Sequence, residues 1–376
     1  MYIKRDLRSI IENHFFSGKA IIVLGARQVG KSTMLERITQ EKEIPALFLN
    51  CDDPDVRTIL TEINTVNLDL LIGKNKIVFI DEAQRVNNIG VVLKMVVDRH
   101  KDLQLLVSGS SSLHLRSSIN EPLTGRKYEY VMYPIATSEL YDTMGLMTTR
   151  QLLNFRLIFG SYPDVLTHPD EARELLKSLS DSYLYKDILD LEDIRKPVVL
   201  NKILIALALQ VGSEVSYNEV ARTVGSDPKT VEKYVDLLEK CFVVFTLTGL
   251  SRNMRNELKK TKKIYFYDIG IRNAIIQNYA PVELRNDIGA LWENFFISER
   301  IKNNSYSGRL VNYYFWRTTS QQEIDLIEES DGQFYAFEMK WNPEKGNVKF
   351  PQSFIDAYNP REINVVTPEN YLNYLL

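Results

Sequence analysis

A glycine-rich segment near the start of the chain constrains its fold more than any other feature. Residues 25–32 read GARQVGKS, which fits the phosphate-loop pattern G-x-x-x-x-G-K-[S/T] without a gap. The segment follows the apolar run AIIVL at residues 20–24 and precedes a helical pattern over residues 33–38. A buried strand, a glycine loop and a helix in this order direct backbone N–H groups and the helix dipole at a pyrophosphate. The sequence therefore predicts a nucleotide-phosphate site, and a glycine turn without a ligand is the alternative.

Two side chains of this loop have specific predicted roles. Lys31 is expected to reach the β- and γ-phosphates, and the Ser32 hydroxyl is expected to hold Mg²⁺. ATP and Mg²⁺ are the predicted cofactors. The residues predicted to contact the nucleotide are Gly25, Ala26, Arg27, Gln28, Val29, Gly30, Lys31, Ser32 and Thr33.

A second buried run, KIVFIDE at residues 76–82, ends in two carboxylates. Asp81 is placed to hold Mg²⁺ through water, and Glu82 to polarise the attacking water as general base. An acidic pair after a strand is by itself more often a solvated turn, but its position about 50 residues after the phosphate loop favours catalysis. A later strand over residues 104–108 makes Ser108 or Ser110 a candidate γ-phosphate sensor, and a serine-rich turn explains the same residues equally well.

Whole-chain properties limit the remaining possibilities. The 376 residues suffice for about two or three domains, and the net charge of −3 gives no global signal for nucleic acid. Two distant cysteines indicate a reducing compartment, and no run approaches about 18 apolar residues, so we expect a cytoplasmic protein without a membrane span. Strands alternate with helical patterns in the first third, which predicts an α/β fold with a parallel sheet.

The order of these motifs resembles the AAA+ superfamily. The phrases GARQVGKS, FIDEAQ, VSGSSS and LTGR, followed by GSYPDV, YLYKDI and KIYFYDIGIR, are similar over the full chain to a prokaryotic family of AAA+ ATPases. That family has an AAA_14-type core and a C-terminal domain of unassigned function. The resemblance implies a homo-oligomer such as a hexameric ring, and makes Arg126 a trans-acting catalytic arginine or sensor. A surface or salt-bridged arginine is the alternative, with Arg27 and Arg116 as competing candidates.

The middle of the chain is predicted to form a winged helix. Residues 216–219, SYNE, form a capping box, Gly225 and Ser226 make a turn, and Asp227 caps a second helix. Two β-rich runs, 242–248 and 264–267, follow around a basic link. The cations predicted to contact DNA are Lys229, Lys233, Arg252, Arg255, Lys259, Lys260, Lys262 and Lys263. Solvated charges, or a winged helix that binds protein, remain alternatives.

The C-terminal third reads helix, three strands, helix, strand, with Asp331 and Gly332 as a two-residue hairpin turn. Pairing Ser330 with Gln333 places Asp325 opposite Glu338, and Glu323 opposite Lys340, on one face. Asp325 and Glu338 are predicted ligands of Mg²⁺ or Mn²⁺, and Lys340 is predicted to position the attacking water or stabilise the phosphorane. Glu293, on the preceding helix, is a further predicted ligand.

This element order and the D-x12-E-x-K spacing resemble the PD-(D/E)xK nuclease superfamily, which includes restriction enzymes and archaeal junction resolvases. Ile324 replaces the proline that often precedes the first acid. The resemblance implies metal-dependent cutting of DNA. A salt-bridge ladder across an exposed hairpin, in a catalytically inert relative, explains the same residues.

These expectations combine into three domains: an ATPase core with a helical lid over residues 1–190, a winged helix over 191–285 and an α/β nuclease-like domain over 286–376. The leading interpretation is an ATP-dependent DNA-processing enzyme with a metal-dependent nuclease, with branched or junction DNA as a guess from the superfamily. A regulatory ATPase switch with an inert nuclease-like domain is the second interpretation. The third is a protein-remodelling ATPase that does not act on DNA.

Overall fold

The computed structural model describes residues 1–110, 119, 122–182, 197–251, 262–342, 344 and 348–376. Its contacts divide the chain into two compact units. The first comprises residues 2–134 and 240–242, and the second comprises residues 135–239 and 243–376 with Met1. The first unit contains a five-stranded parallel sheet and the second a seven-stranded mixed sheet. The predicted α/β class, with a parallel P-loop sheet, is confirmed.

The first unit is built on a parallel sheet with the strand order β2-β3-β4-β1-β5. Its strands are β1 Ala20–Leu24, β2 Ala46–Asn50, β3 Ile77–Asp81, β4 Gln104–Gly109 and β5 Lys127–Val131. Its helices are α1 Leu7–Glu12, α2 Lys31–Glu41, α3 Pro54–Thr61, α4 Thr65–Ile72 and α5 Ile89–Arg99. β1, β3 and β4 are buried throughout, as their continuous apolar runs predict. Parallel strands bring the loop after β1 and the ends of β3 and β4 to one edge of the sheet.

The second unit combines ten described helices with the mixed sheet. The helices are α6 Thr137–Gln151, α7 Leu153–Phe159, α8 Pro163–Thr167, α9 Ala172–Ser182, α10 Pro197–Leu209, α11 Tyr217–Val224, α12 Pro228–Lys240, α13 Ile269–Ile275, α14 Ile288–Tyr306 and α15 Gln352–Tyr358. The strands are β6 Glu214–Val215, β7 Val244–Gly249, β8 Lys262–Phe266, β9 Asn312–Arg317, β10 Glu323–Ser330, β11 Gln333–Met339 and β12 Glu362–Val366. Among the described residues, no helix combines the length and apolar character needed to cross a bilayer.

The seven strands form one continuous sheet in the order β12-β11-β10-β9-β7-β8-β6. The link between its two halves is a parallel pairing of β7 with β9, extended by a 2.7 Å hydrogen bond from the Leu250 N–H to the Phe315 carbonyl. The segment predicted to be a winged helix and the segment predicted to be nuclease-like therefore share a sheet. The predicted boundaries at residues 190 and 285 do not coincide with the two compact units, and they stay predictions.

Two consecutive helices, α11 and α12, form where the sequence predicts them, with one difference at the start of α11. Ser216 is the N-cap of α11, but its side chain makes no capping hydrogen bond, so the predicted capping box is not formed. Asp227 does cap α12, because its Oδ1 accepts from the Thr230 N–H at 2.9 Å. β6, β7 and β8 complete a small antiparallel arrangement beside these helices.

The β10–β11 hairpin has the predicted register. Ser330 pairs with Gln333, which confirms the two-residue turn. Asp331 and Gly332 have φ angles of 52° and 74°. Positive φ at both central positions is the geometry of a type I′ turn, whose twist matches that of the flanking strands.

The helices over residues 137–182, predicted to be a lid, belong to the second unit. The helix α7 ends at Gly160, and there the chain meets the start of α13. The Asp268 carboxylate accepts from the Ser161 N–H at 2.7 Å, and a Cβ on Gly160 would lie 2.0 Å from Asp268 Oδ1. Because Gly160 also has a φ of 75°, only glycine fits this contact. A role for these helices as a nucleotide lid stays a prediction.

A buried charge network lies in the same unit. Glu299 Oε1 accepts from Lys302 Nζ at 2.6 Å and from an Arg156 guanidinium nitrogen at 2.9 Å. Its Oε2 accepts from the N–H and the hydroxyl of Thr137, both at 2.6 Å. Burial alone would raise the pKa of Glu299, but the Lys302 and Arg156 charges lower it to about 2. The carboxylate therefore stays charged in the interior and fixes α14 to α6 and α7.

Candidate nucleotide site and acidic centre

The phosphate loop follows β1 directly, as the sequence predicts. Gly25 has a φ of 149°, and a Cβ there would lie 2.1 Å from the Met132 carbonyl oxygen, so a side chain is excluded. Gly30, with a φ of 94°, begins α2 in a left-handed conformation. Lys31 Nζ donates to the carbonyls of Gly25 at 2.9 Å and Ala26 at 2.7 Å. The Lys31 ammonium thus lies against the phosphate loop, where it is predicted to bind the phosphates of the nucleotide.

The two predicted magnesium-binding side chains meet at the edge of the sheet. Ser32 Oγ donates to Asp81 Oδ1 at 2.8 Å, and Ser108 Oγ donates to the same carboxylate oxygen. A hydroxyl at the first turn of the helix and a strand-end carboxylate are the groups with which P-loop NTPases hold Mg²⁺. These residues therefore fit the ion. Ser108 contacts Asp81 from β4, and its predicted contact with nucleotide stays a prediction.

Glu82, the predicted general base, has a left-handed backbone with a φ of 51°. Gln84 donates its side-chain N–H groups to Glu82 Oε2 at 2.5 Å and to Ser110 Oγ at 2.9 Å. Gln84 was not predicted to be functional, although it stands two residues after Glu82 in the sequence FIDEAQ. The amide joins the end of β3 to the end of β4.

Arg5 is a second residue that the sequence analysis missed. Its guanidinium donates to the Val29 carbonyl at 2.6 Å and to the Tyr133 carbonyl at 2.5 Å, and the side chain is 3 % exposed. Backbone carbonyls carry no sequence signature, so nothing in the primary structure indicated this partner of the phosphate loop. Arg5 therefore links the phosphate loop, through Val29, to Tyr133.

The arginine predicted from the resemblance lies elsewhere. Arg126 immediately precedes β5, its carbonyl accepts from the Ala20 N–H at the start of β1, and its Nε donates to Asp98 at 2.8 Å. The start of β1 is the edge of the sheet opposite the phosphate loop, so the fold does not bring Arg126 to this pocket as a sensor. It is a surface ion-paired arginine here, which was the stated alternative, and a role in trans stays a prediction. Arg27 is half-buried within the loop, and Arg116 lies outside the described residues.

The hairpin residues predicted as a metal centre do converge. Asp325 Oδ2 accepts from the Met339 N–H at 2.8 Å, and Lys340 Nζ donates to Glu338 Oε1 at 2.6 Å. Burial raises the pKa of both carboxyls, and the Asp325 charge adds to the effect on Glu338. Asp325 and Glu338, two acids close enough for the charge of one to raise the pKa of the other, lie with Lys340 beside Glu338, which is the grouping that the D-x12-E-x-K spacing predicts.

Glu293 reaches the same cluster from α14, but its contacts differ from the prediction. Its Oε1 accepts from Tyr265 Oη at 2.5 Å and from Lys263 Nζ at 3.1 Å. Lys263 also pairs with Glu323 at 2.5 Å. Burial, and then the Asp325 charge, raise the pKa of Glu293 to about 7. Glu293 is thus a neighbour of Asp325 that is already engaged by two side chains of β8.

The prediction that Lys263 is an exposed wing cation is wrong. Its side chain is 2 % exposed and lies between the two carboxylates, because alternation along β8 directs Lys262 and Lys263 to opposite faces. Burial alone would lower its pKa, but Glu293, Asp325 and Glu323 raise it. Lys263 is therefore a buried counter-cation of the acidic centre.

The donor set of this centre suits a hard cation only in part. Mg²⁺ is commonly held by one or two carboxylates and several waters, which Asp325 and Glu338 can provide. Among the described residues, no three histidine, cysteine or carboxylate side chains are arranged to hold a metal ion. A two-carboxylate site therefore fits, and Oε1 of Glu293, the further predicted ligand, already accepts from Lys263 and Tyr265.

The remaining predicted DNA contacts give a mixed surface. A cavity of about 490 Å³ beside α12 is lined by three lysines, three acids and a tyrosine: Lys229, Lys233, Lys262, Glu232, Asp236, Glu239 and Tyr217. Equal numbers of cations and anions give this cavity no net positive charge. Four further predicted contacts lie outside the described residues: Arg252, Arg255, Lys259 and Lys260.

Three family models match consecutive parts of the chain. Residues 17–141 match an AAA domain, AAA_14, and residues 150–281 and 288–373 match two domains of unknown function, DUF8612 and DUF4143. The AAA domain match, with the phosphate loop and the parallel sheet described above, identifies a P-loop ATPase core.

Similar proteins are known from bacteria and archaea. Uncharacterised protein Rv2008c of Mycobacterium tuberculosis is 27% identical over 347 residues, covering 90% of this chain and 74% of its own length. Uncharacterised protein MJ1637 of Methanocaldococcus jannaschii is 25% identical over 380 residues, covering 87% of this chain and 78% of its own. The Walker-type ATPase PABY2304 of Pyrococcus abyssi matches 73% of this chain and 96% of its own, with 15% identity and a TM-score of 0.48.

Proposed function

We propose that this chain hydrolyses ATP and uses the turnover to process DNA, which its C-terminal acidic centre cuts with a divalent metal. The observation that carries the ATPase part is the 2.8 Å hydrogen bond between Ser32 and Asp81, beside Lys31 and next to Glu82. Four side chains with distinct roles in phosphoryl transfer thus meet at one edge of the sheet.

Their chemistry follows from their positions. Bound Mg²⁺, held by Ser32 and Asp81, would neutralise charge on the β- and γ-phosphates. Lys31 and the loop N–H groups orient the nucleotide. Glu82 takes a proton from the water that attacks the γ-phosphorus, while the bond to the bridging oxygen breaks and ADP leaves.

Nucleotide turnover by a Lys31→Ala variant tests this part. We expect hydrolysis to be lost while circular dichroism stays that of the wild type, because the Lys31 ammonium contacts the loop carbonyls of Gly25 and Ala26 and alanine is favourable at the first residue of α2. Lys74→Ala is the matched control, since Lys74 is exposed in the loop before β3 at the opposite edge of the sheet. Unchanged turnover in Lys31→Ala would contradict the nucleotide assignment.

The nuclease part is supported by the convergence of Asp325, Glu338 and Lys340 on one face of the hairpin. The helix-turn-helix pair α11–α12 lies in the same compact unit, and it is the DNA-holding element of the proposal. The ammonium of Lys340 is placed to stabilise negative charge on a phosphodiester as a water attacks it. A homo-oligomer completes the proposal by analogy with the AAA+ superfamily.

A panel of labelled linear, plasmid and branched DNA, incubated with ATP and Mg²⁺ or Mn²⁺, tests the second part. Asp325→Asn should remove cutting and spare ATP turnover. Asp331→Asn is the matched control, because it makes the same change in the turn of the same hairpin, where asparagine tolerates positive φ. Cutting that persists in Asp325→Asn would show that these carboxylates are not the catalytic ones.

A regulatory ATPase switch with an inert acidic centre is the second candidate. The observation that favours it is the pairing of the Lys263 ammonium with Glu293 and Glu323. This ammonium provides the positive charge that a bound metal ion would otherwise provide to these carboxylates. This function is supported if the wild type cuts no DNA of the panel but DNA stimulates its ATP turnover, with a steep decline as salt rises. ATP turnover that DNA does not affect would favour protein remodelling instead.

A further inference from the structure

The side chain of Gln84 donates hydrogen bonds to both Glu82 and Ser110, and the ATPase chemistry proposed above assigns it no role. It lies in the short 3-10 turn Ala83–Arg85 that follows β3. One end of the bridge is the carboxylate of Glu82, at 2.5 Å, and the other is the hydroxyl of Ser110, at 2.9 Å. The general base is therefore held by an amide that is itself anchored to the end of β4.

The orientation of this amide is fixed by its partner. The opposite orientation would place Oε1, an acceptor, against the Glu82 carboxylate, which is acceptor-only when ionised. The N–H group must therefore face Glu82. Oε1 then points elsewhere, and within the described part of the chain this buried oxygen has no hydrogen-bond partner.

A buried acceptor without a donor is rare in native proteins, because its desolvation is not compensated. The missing partner of Gln84 Oε1 is therefore a donor that is not a side chain of the described residues. A water molecule beside Glu82 is such a donor, and it has two O–H groups. One can be directed at the general base and the other at the amide carbonyl.

We propose that Gln84 positions the attacking water of ATP hydrolysis. Its N–H group holds the Glu82 carboxylate, and its carbonyl accepts one O–H of the water. Glu82 removes the other proton as the water oxygen bonds to the γ-phosphorus and the bond to the bridging oxygen breaks, giving ADP and phosphate. A glutamine that orients the attacking water is the device used in small GTPases. The inference rests on the proposed ATPase function.

Steady-state ATP turnover, together with the affinity for a fluorescent ATP analogue, tests the proposal on five proteins. These are the wild type, Gln84→Ala, Ser110→Ala, the double variant of both, and Arg85→Ala. Arg85 is the matched control, because it occupies the same turn but pairs at the surface with Asp52, at 2.6 Å. Thermal unfolding of each variant shows whether it is folded.

For Gln84→Ala we expect kcat to fall about 10²-fold, in the range of general-base catalysis, with nucleotide affinity and KM unchanged. The kcat of Ser110→Ala should fall less, because this change removes one hydrogen-bond partner of the Gln84 amide but leaves the amide itself in place. The double variant should equal Gln84→Ala, since Ser110 acts through Gln84. Arg85→Ala should match the wild type.

Gln84→Glu adds a readout that a structural role would not change. It retains the shape of the side chain but sets a carboxylate, which cannot donate a hydrogen bond, where the amide N–H held Glu82, so kcat should fall at least as far as in Gln84→Ala while KM stays unchanged. A wild-type kcat in Gln84→Ala, or a raised KM with kcat unchanged, overturns the proposal while the ATPase function stands. Absence of ATP turnover in the wild type refutes the ATPase function itself, and this proposal with it.

Discussion

Replacing Lys263 with methionine tests how the acidic centre is stabilised. The substitution removes the ammonium but keeps most of the side-chain volume, so its effect reports the charge. Lys263 Nζ lies 3.1 Å from Glu293 Oε1 and 2.5 Å from Glu323 Oε1. Removing one partner of a buried ion pair costs about 3–5 kcal/mol. Glu323 is 29% exposed and can be hydrated, whereas Glu293 is 14% exposed, so we expect a loss near the lower end, about 3 kcal/mol.

The pH dependence of this loss has a definite sign. Without Lys263, the pKa of Glu293 rises further above its unfolded value, so the folded state binds a proton that the unfolded state releases. Because the pKa of Glu293 is already raised to about 7 in the wild type, Glu293 is protonated in both folded proteins at lower pH. The penalty is therefore small below about pH 6 and grows as the pH rises through about 7 and above. The double variant Lys263→Met/Glu293→Gln should recover part of the stability, because Glu293 no longer leaves a buried charge unpaired, although Asp325 still loses the nearby Lys263 charge.

Urea unfolding followed by tryptophan fluorescence measures these free energies. All three tryptophans, Trp292, Trp316 and Trp341, belong to the second compact unit, so their signal follows the unit that contains Lys263. Lys262→Met is the control, because this lysine points to the opposite face of β8 and its Nζ is 3.5 Å from Tyr217 Oη. Wild-type stability in Lys263→Met, or a double variant no more stable than Lys263→Met, would refute the role of Lys263 as a counter-cation.

Three further changes have expected outcomes. Glu299→Gln should destabilise the second unit by about 3–5 kcal/mol at neutral pH. Because the pKa of Glu299 is lowered to about 2, the wild type should lose this contribution as the pH falls from about 4.5 towards 2, and urea unfolding across that range should show no such loss in the variant. Gly160→Ala should lower the free energy of unfolding in urea more than Gly145→Ala. Both glycines have positive φ, but only a Cβ on Gly160 would overlap Asp268, at 2.0 Å. Equal losses would mean that Asp268 moves aside without a cost in stability. Arg5→Met should weaken binding of a fluorescent ATP analogue about tenfold, because the phosphate loop loses the hydrogen bond from Arg5 to the Val29 carbonyl. Unchanged affinity would contradict a role of Arg5 in positioning the loop.

Sequence reasoning succeeded where the deciding residues are neighbours along the chain. The phosphate loop, the carboxylates of Asp81 and Glu82 and the turn at Asp331 each depend on a short run of residue types with local geometric requirements. The placement of the phosphate loop and the two carboxylates at one edge of the first unit's sheet then follows from its parallel strands. The strand β5 was missed because its residues are only half-buried and lack a continuous apolar run.

The errors arose where a side chain's partner is distant or has no signature. Lys262 and Lys263 are the same residue type in adjacent positions, so composition marked both as wing cations, and only the pairing of β7 with β9 brings one of them to the acids. Arg5 binds a backbone carbonyl 24 residues away, which any sequence could provide. The role proposed for Gln84 depends on its hydrogen bond to Ser110 at the end of β4, and only the fold brings these two residues, 26 positions apart, together.

The pairing of β7 with β9 also decides how this protein can be divided for experiments. A fragment that starts near residue 286 would begin with α14 but leave β9 as an uncovered edge strand, a site prone to aggregation. It would also lack Lys263 and Tyr265, so Glu293 would be without both of its side-chain donors. Such a fragment would misreport the acidity and metal affinity of its own carboxylates, whereas a piece that retains residues 135–376 keeps both the whole sheet and the helices of its compact unit.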